Sequence, residues 1–180
     1  NNVASGTQIA GCNCANVIEG TDILTVRGVF ESPVYQLNPA AGEFVYDPAT
    51  GTGTVTVRKT SPTGVPQDLT PFEDRITDNV ADAVLLVSPL DDSLYAVVEM
   101  QPGGSSSTQV GGTTEFVTIA FTTQGGNSTE FLGLSPGGAY PPTLTTVAYV
   151  GLLEEYQFYV REERAIRGDA TSELIPRLSR

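Results

Sequence analysis

Apolar and polar positions along this chain alternate in short runs divided by turn residues, the period-2 signature of strands rather than the 3.6 period of helices. The first run, residues 22–30, is β-branched and opens at the turn-forming Gly20-Thr21-Asp22. Ser32-Pro33 interrupts it, and a second strand follows over 34–37. Asn38-Pro39-Ala40-Ala41-Gly42 then turns the chain into Glu43-Phe44-Val45-Tyr46, and Asp47-Pro48-Ala49-Thr50-Gly51 turns it into Thr54-Val55-Thr56-Val57-Arg58. In both turns Pro fixes φ and Gly accepts positive φ, so the two runs predict a β-hairpin. The pattern changes at Thr70-Pro71-Phe72-Glu73-Asp74-Arg75. Thr70 as N-cap, Pro71 at the first position and Glu73 three residues after the cap predict a short helix of two turns.

Two runs, Ala83-Val84-Leu85-Leu86-Val87-Ser88 and residues 93–100, are apolar with little alternation, as expected of strands covered on both faces at the centre of a core. Residues 101–114 are polar and rich in Gly and Ser and read as a mobile loop, followed by a strand over 115–122. A second Gly-rich connector runs from 124 to Pro141-Pro142 and contains Asn127-Ser128-Thr129, a glycosylation-type tripeptide. Strand composition returns over 145–150 and 156–160, with Gly151 suited to a bend, so 144–161 reads as two strands or one bent strand. Residues 1–19 carry no strand pattern. The organisation expected is a linker or remnant over 1–19 and a single β-rich globular domain over 20–180, of a size that buries a core without staples.

With 19 glycines and 12 prolines in 180 residues, composition strengthens the fold class: mainly β (α+β), built from antiparallel sheets. Charge changes the picture of partners. The chain holds 21 acidic against nine basic residues, and such a field repels phosphate backbones, which argues against nucleic acid binding through a broad face. Five of the basic residues are arginines within 161–180, so the C-terminal segment either lies against an acidic body or is solvated. Histidine is absent, which removes Ser-His-Asp and Cys-His nucleophile systems and His-containing zinc sites. The two cysteines, Cys12 and Cys14, are one residue apart. They form either a tight local disulfide, if the backbone turns enough to bridge them, or a pair of reduced thiols; redox motifs space thiols by two residues, and further metal ligands are lacking. No apolar run reaches the roughly 18 residues of a membrane-spanning helix. The ends read as cut: Asn1-Asn2-Val3 is not a natural start, and the chain stops at Arg180 without a terminating element, so a longer natural protein is expected.

Several stretches together carry a resemblance: Gly20-Thr21-Asp22-Ile23-Leu24-Thr25-Val26-Arg27; Asp82-Ala83-Val84-Leu85-Leu86-Val87-Ser88; Val147-Ala148-Tyr149-Val150; Glu155-Tyr156-Gln157-Phe158-Tyr159-Val160-Arg161; and Pro176-Arg177-Leu178-Ser179-Arg180. In this order they resemble the globular head of PilW-type minor pilins, subunits of type IV pili or of type II secretion pseudopili. The cleavable leader, the glutamate near the mature N-terminus and the long apolar helix of that family are missing from the chain. The resemblance implies a non-enzymatic, extracytoplasmic subunit at or near a filament tip, without catalytic, cofactor or metal residues. Its partners would be other pilin or pseudopilin subunits, its membrane contact would run only through the missing N-terminal helix, and loops 101–114 and 124–142 would be the surfaces for neighbours.

Other classes remain open beside it. A secreted β-sandwich binding or adhesion module for carbohydrate would need exposed aromatics, for which Tyr35, Tyr46 and Tyr140 are the candidates near turns. Calcium association would draw on Asp47, Glu73-Asp74 and Asp91-Asp92, none spaced like a calcium-binding loop. A glycosidase needs only two carboxylates at a fixed separation, and a pocket flanked by such a pair would mark one.

Overall fold

The computed structural model describes residues 24–30, 34–164, 171 and 174–179. Cys12, Cys14, the proposed 1–19 linker and the Ser32-Pro33 corner lie outside them. The fold is mainly β with antiparallel sheets. Along the chain come β1 (Leu24–Gly28), β2 (Tyr35–Gln36), β3 (Phe44–Asp47), β4 (Thr52–Arg58), α1 (Thr70–Thr77), β5 (Ala83–Val87), β6 (Tyr95–Met100), β7 (Ser106–Val110) and β8 (Thr113–Thr122). Then follow α2 (Ser128–Leu132), β9 (Tyr149–Leu152), β10 (Glu154–Arg164) and β11 (Leu174–Ser179). They form two compact units, one spanning 29–154 and one holding β1, β10 from Glu155 onward, and β11.

The larger unit is an eight-stranded sheet in the order β2-β9-β5-β6-β8-β4-β3, with β7 also paired to β8. Its register follows from alternation. On β4, Val55 and Val57 are fully buried while Thr54 and Thr56 face outward, and on β8, Val117, Ile119 and Phe121 point inward. Each such side chain contributes about 1.5–3 kcal/mol by leaving water, and a slip of one residue would turn all of them to solvent. The two unalternating runs do sit at the centre: β5 and β6 are adjacent mid-sheet, and Ala96 to Met100 are buried without exception.

One contiguous core joins the inner faces of these strands to Leu69 and Phe72 of the α1 region and to Leu144 and Val147. The Phe72 ring lies 4.9 Å from that of Tyr35. At the sheet's first edge, Gln67 acts as a surrogate strand. Its Oε1 accepts from the Gln36 N–H (2.6 Å), and its Nε2 donates to the carbonyls of Gln36 (3.2 Å) and Arg58 (2.9 Å). Because Gln36 belongs to β2 and Arg58 to β4, this amide shows that the sheet curls round its core until opposite ends meet.

The smaller unit is a three-stranded sheet in the order β1-β10-β11. β10 and β11 run antiparallel from Tyr159↔Ser179 to Arg164↔Leu174. Arg27 Nε donates to Glu155 Oε2 at 2.6 Å, pinning β1 beside β10.

Four expectations need correction. Thr70 is not the cap of α1: it lies inside the helix, the N-cap position is Leu69, and the Thr70 amide is taken by Asp68 Oδ1 at 3.0 Å. The amides of Phe72 and Glu73, which a Thr70 cap would have served, donate instead to the Leu69 carbonyl, both at 3.1 Å. Residues 101–114 are not an unstructured loop, since β7 pairs with β8 from Ser106↔Thr118 to Val110↔Thr113. A polar strand is invisible to hydrophobic alternation and forms here because β8 offers it a free edge. The break in 144–161 falls at Leu153 rather than Gly151. Gly151 stays within β9, where a Cβ would stand 2.8 Å from Val29 Cγ2, so close packing rather than bending requires glycine. The expected strand over 22–30 is found as Leu24–Gly28 and belongs to the smaller sheet.

Candidate functional site

Where the curled sheet meets itself, a surface pocket of about 370 Å³ is lined by Gln36, Asn38, Glu43, Arg58, Thr60 and Ser61. Glu43 is its buried centre, only 5% exposed. The β3–β4 hairpin places it: Phe44 pairs with Val55, so Glu43 comes opposite Thr56 and diagonal to Arg58. Arg58 Nε donates to Glu43 Oε1 at 2.6 Å, and the Asn38 amide donates to Oε2 at 2.5 Å. The Arg58 guanidinium also lies over the Phe116 ring, 5.6 Å from its centroid. Both oxygens of this carboxylate are thus engaged with donors of the same fold, which suits a latch between strands and not a general acid or base.

A second buried carboxylate, Glu99 at 5% exposure, stands on β6 and accepts from Ser128 Oγ of α2 at 2.7 Å. Nearby, Ser135 Oγ accepts from the Val97 amide at 2.8 Å, so the 124–142 connector closes the part of the β6 edge that β8 leaves uncovered. Both serines of that connector, Ser128 and Ser135, are buried and tie it to β6.

The three tyrosines proposed for sugar stacking are placed differently from one another. Tyr35 is fully buried, and burial, with the Asp68 charge as a second cause, pushes its hydroxyl pKa up. Tyr46 and Tyr140 come together, ring centroids 4.1 Å apart, and Tyr46 stacks in turn on Phe121 at 6.0 Å, with Phe44 beyond at 6.2 Å. Their hydroxyls are used inside the protein: Tyr140 donates to the Leu144 carbonyl (3.1 Å), and Tyr46 meets Thr123 Oγ1 (3.3 Å). The ladder is half-buried, and the Tyr46 ring faces other rings rather than an open platform.

Of the acidic residues proposed for calcium, Asp47 and Asp91 serve their own turns, while Glu73 lies within α1 and accepts from the Thr114 hydroxyl at 2.6 Å. The Ala49 amide and then the Thr50 hydroxyl hold Asp47 below the usual carboxylate range. The Ser93 hydroxyl and amide do the same for Asp91. Among the described residues no three His, Cys, Asp or Glu side chains converge as a metal site would require.

The remaining feature is an edge. β3 is the last strand of the large sheet, and among the described residues nothing pairs beyond it. Thr56 N–H donates to the Glu43 carbonyl at 2.7 Å, which sets the parity of the ladder: Val45 and Asp47 exchange bonds with β4, and the amides and carbonyls of Phe44 and Tyr46 point away from it. Sequence reasoning gave the hairpin but not this edge, because neighbours of a strand are chosen by the rest of the sheet. Gln67 was likewise missed; nothing in a Pro-rich connector marks one glutamine as a strand surrogate. Comparison with known proteins finds no matching family, no matching curated protein and no matching solved structure.

Proposed function

We propose that this chain is the β-rich head of a non-enzymatic, minor-pilin-like subunit that acts outside the cytoplasm in the assembly or tip of a type IV pilus or a secretion pseudopilus. What supports the reading is how the resembling stretches are arranged. Residues 24–28, 154–164 and 174–179, which carry parts of three of the five resembling stretches, are neighbours in one three-stranded sheet, the first of them distant in sequence from the other two. The buried carboxylates agree with a scaffold role, since Glu43 and Glu99 are each bonded to groups that hold strands and connectors in place. The proposed partners are other pilin or pseudopilin subunits.

The test is genetic and biochemical. Deleting the gene in the producing bacterium should reduce surface pili, or secretion through the pseudopilus, with recovery on complementation. Antibody to this chain should detect it in sheared filaments. Unchanged piliation and secretion, together with the chain recovered only as a free protein, would overturn the proposal.

A further inference from the structure

The larger unit closes its strand edges one by one. Gln67 takes both backbone groups of Gln36 at the β2 edge. Ser135 takes the Val97 amide on β6. Past the end of β7, Ser105 Oγ accepts from the Ala120 amide of β8 at 2.9 Å, and the Ala120 carbonyl accepts from the Gln101 amide at 2.8 Å. β7 itself is polar and carries a register shift between Thr108 and Gln109, an irregularity that blunts an edge. Among the described residues, none of these closures meets β3. It is regular, contains neither Pro nor Lys, and presents the outward amides and carbonyls of Phe44 and Tyr46 beside Val45, which is 59% exposed.

Charge selects what such an edge accepts. Residues 29–154 contain 14 acidic side chains and three basic ones. All three bases are paired, Arg58 with Glu43, Lys59 with Glu115 and Arg75 with Asp82. At the edge Glu43 is already neutralised by Arg58, so Asp47, exposed at the other end of β3, is its one uncompensated charge. A second copy fits poorly: two β3 strands related by a two-fold axis at Val45 would set Asp47 level with the already paired Glu43 of the other chain, offering it no free cation, and would bring two acidic bodies together. An extended strand with a cation fits both the backbone and the field.

We propose that the outer edge of β3 is a strand-addition site for an extended, apolar segment of another protein that carries a lysine or arginine level with Asp47. Main-chain bonds to Phe44 and Tyr46 supply the pairing, Val45 supplies an apolar contact on the outer face, and Asp47 selects a basic strand over an acidic one. This rests on the sheet alone and not on the filament reading.

The test uses the whole chain and three synthetic peptides: alternating Val and Thr with a Lys at each end, the same peptide with Glu in place of Lys, and the Lys peptide N-methylated on alternate amides. With the Lys peptide, exchange of the Phe44 and Tyr46 amides with solvent should slow several-fold, and the N-methylated peptide should fail to bind. The Glu peptide should bind more weakly. Asp47→Asn, which retains the oxygen that accepts the Ala49 amide, should reduce the preference for Lys over Glu by roughly two- to fivefold, the scale of one exposed ion pair. Binding without protection of Phe44 and Tyr46, equal binding of the N-methylated peptide, no binding at millimolar peptide, or a dimer that protects these amides without peptide would each overturn the inference.

Discussion

Gly53 sits in β4 where any side chain would collide: a Cβ there would lie 2.3 Å from the Phe121 ring and 2.5 Å from the Val45 carbonyl. The aromatic ladder of Phe44, Tyr46 and Phe121 is seated over this bare backbone. Gly53→Ala should therefore destabilise the protein by about 1–3 kcal/mol through overpacking, read as a lower urea midpoint; an unchanged midpoint would show that the ladder shifts freely. Glu43 poses the opposite problem, since its removal leaves Arg58 and the Asn38 amide without their acceptor. Glu43→Ala should cost about 1–3 kcal/mol, the range for orphaning a buried donor. Glu43→Gln, which keeps an acceptor oxygen, should cost less, and the reverse ranking in the same urea titration would refute the latch. Glu43 was readable as the start of a strand, but its pairing with Arg58 depends on hairpin register, which the Asp47–Gly51 turn sets.

At the scale of elements, three aspartates fasten connections: Asp47 in the β3–β4 turn, Asp68 ahead of α1, and Asp91 in the β5–β6 turn. Each has its pKa lowered by hydrogen bonds from the residues just after it, Asp68 by Thr70. A carboxylate with a depressed folded-state pKa adds stability that is present above its unfolded value, 3.8, and is lost as pH falls through the folded one. Stability should thus decline as pH drops below about 4, and replacing all three by Ala should flatten that acid limb in urea midpoints measured against pH. A limb of unchanged slope would remove these turns as its cause. Tyr35 and Tyr140, both raised chiefly by burial, act with the opposite sense: their contribution is full below the normal tyrosine range and is lost as pH rises above it. The elements most legible in sequence were those with strong turn chemistry or unbroken apolar runs, the β3–β4 hairpin and the β5–β6 pair. Least legible was β7, whose Ser-Ser-Thr-Gln-Val run is a strand only because β8 is beside it.

For the whole molecule, a formal charge of −12 on 180 residues means that the folded chain repels itself at neutral pH. Raising salt from about 10 mM to 150 mM shortens the screening length from roughly 30 to 8 Å and should relieve that repulsion. The melting temperature should rise by roughly 2–4 °C, equivalent to about 1 kcal/mol for a chain of this size. A melting temperature that falls with salt would mean that specific ion pairs such as Arg75–Asp82, 2.7 Å apart, outweigh the general field.

The sequence alone determined the class of this protein: alternating β-branched runs, Gly and Pro at the turns and a strong acidic excess are local or summed properties, which need no knowledge of what lies beside what. It also held the hairpin register, because a turn of defined chemistry fixes the pairing of the strands it joins. Tertiary structure decided the rest. Which strand ends the sheet, that Gln67 stands in for a missing neighbour, that Glu43 and Glu99 are held by Arg58 and Ser128, and that Leu24–Gly28 joins the sheet of β10 and β11 are matters of spatial adjacency. Strand pairing over long sequence separations is set by which faces and edges remain after the core has formed, and the alternation within any one strand carries no record of its partner.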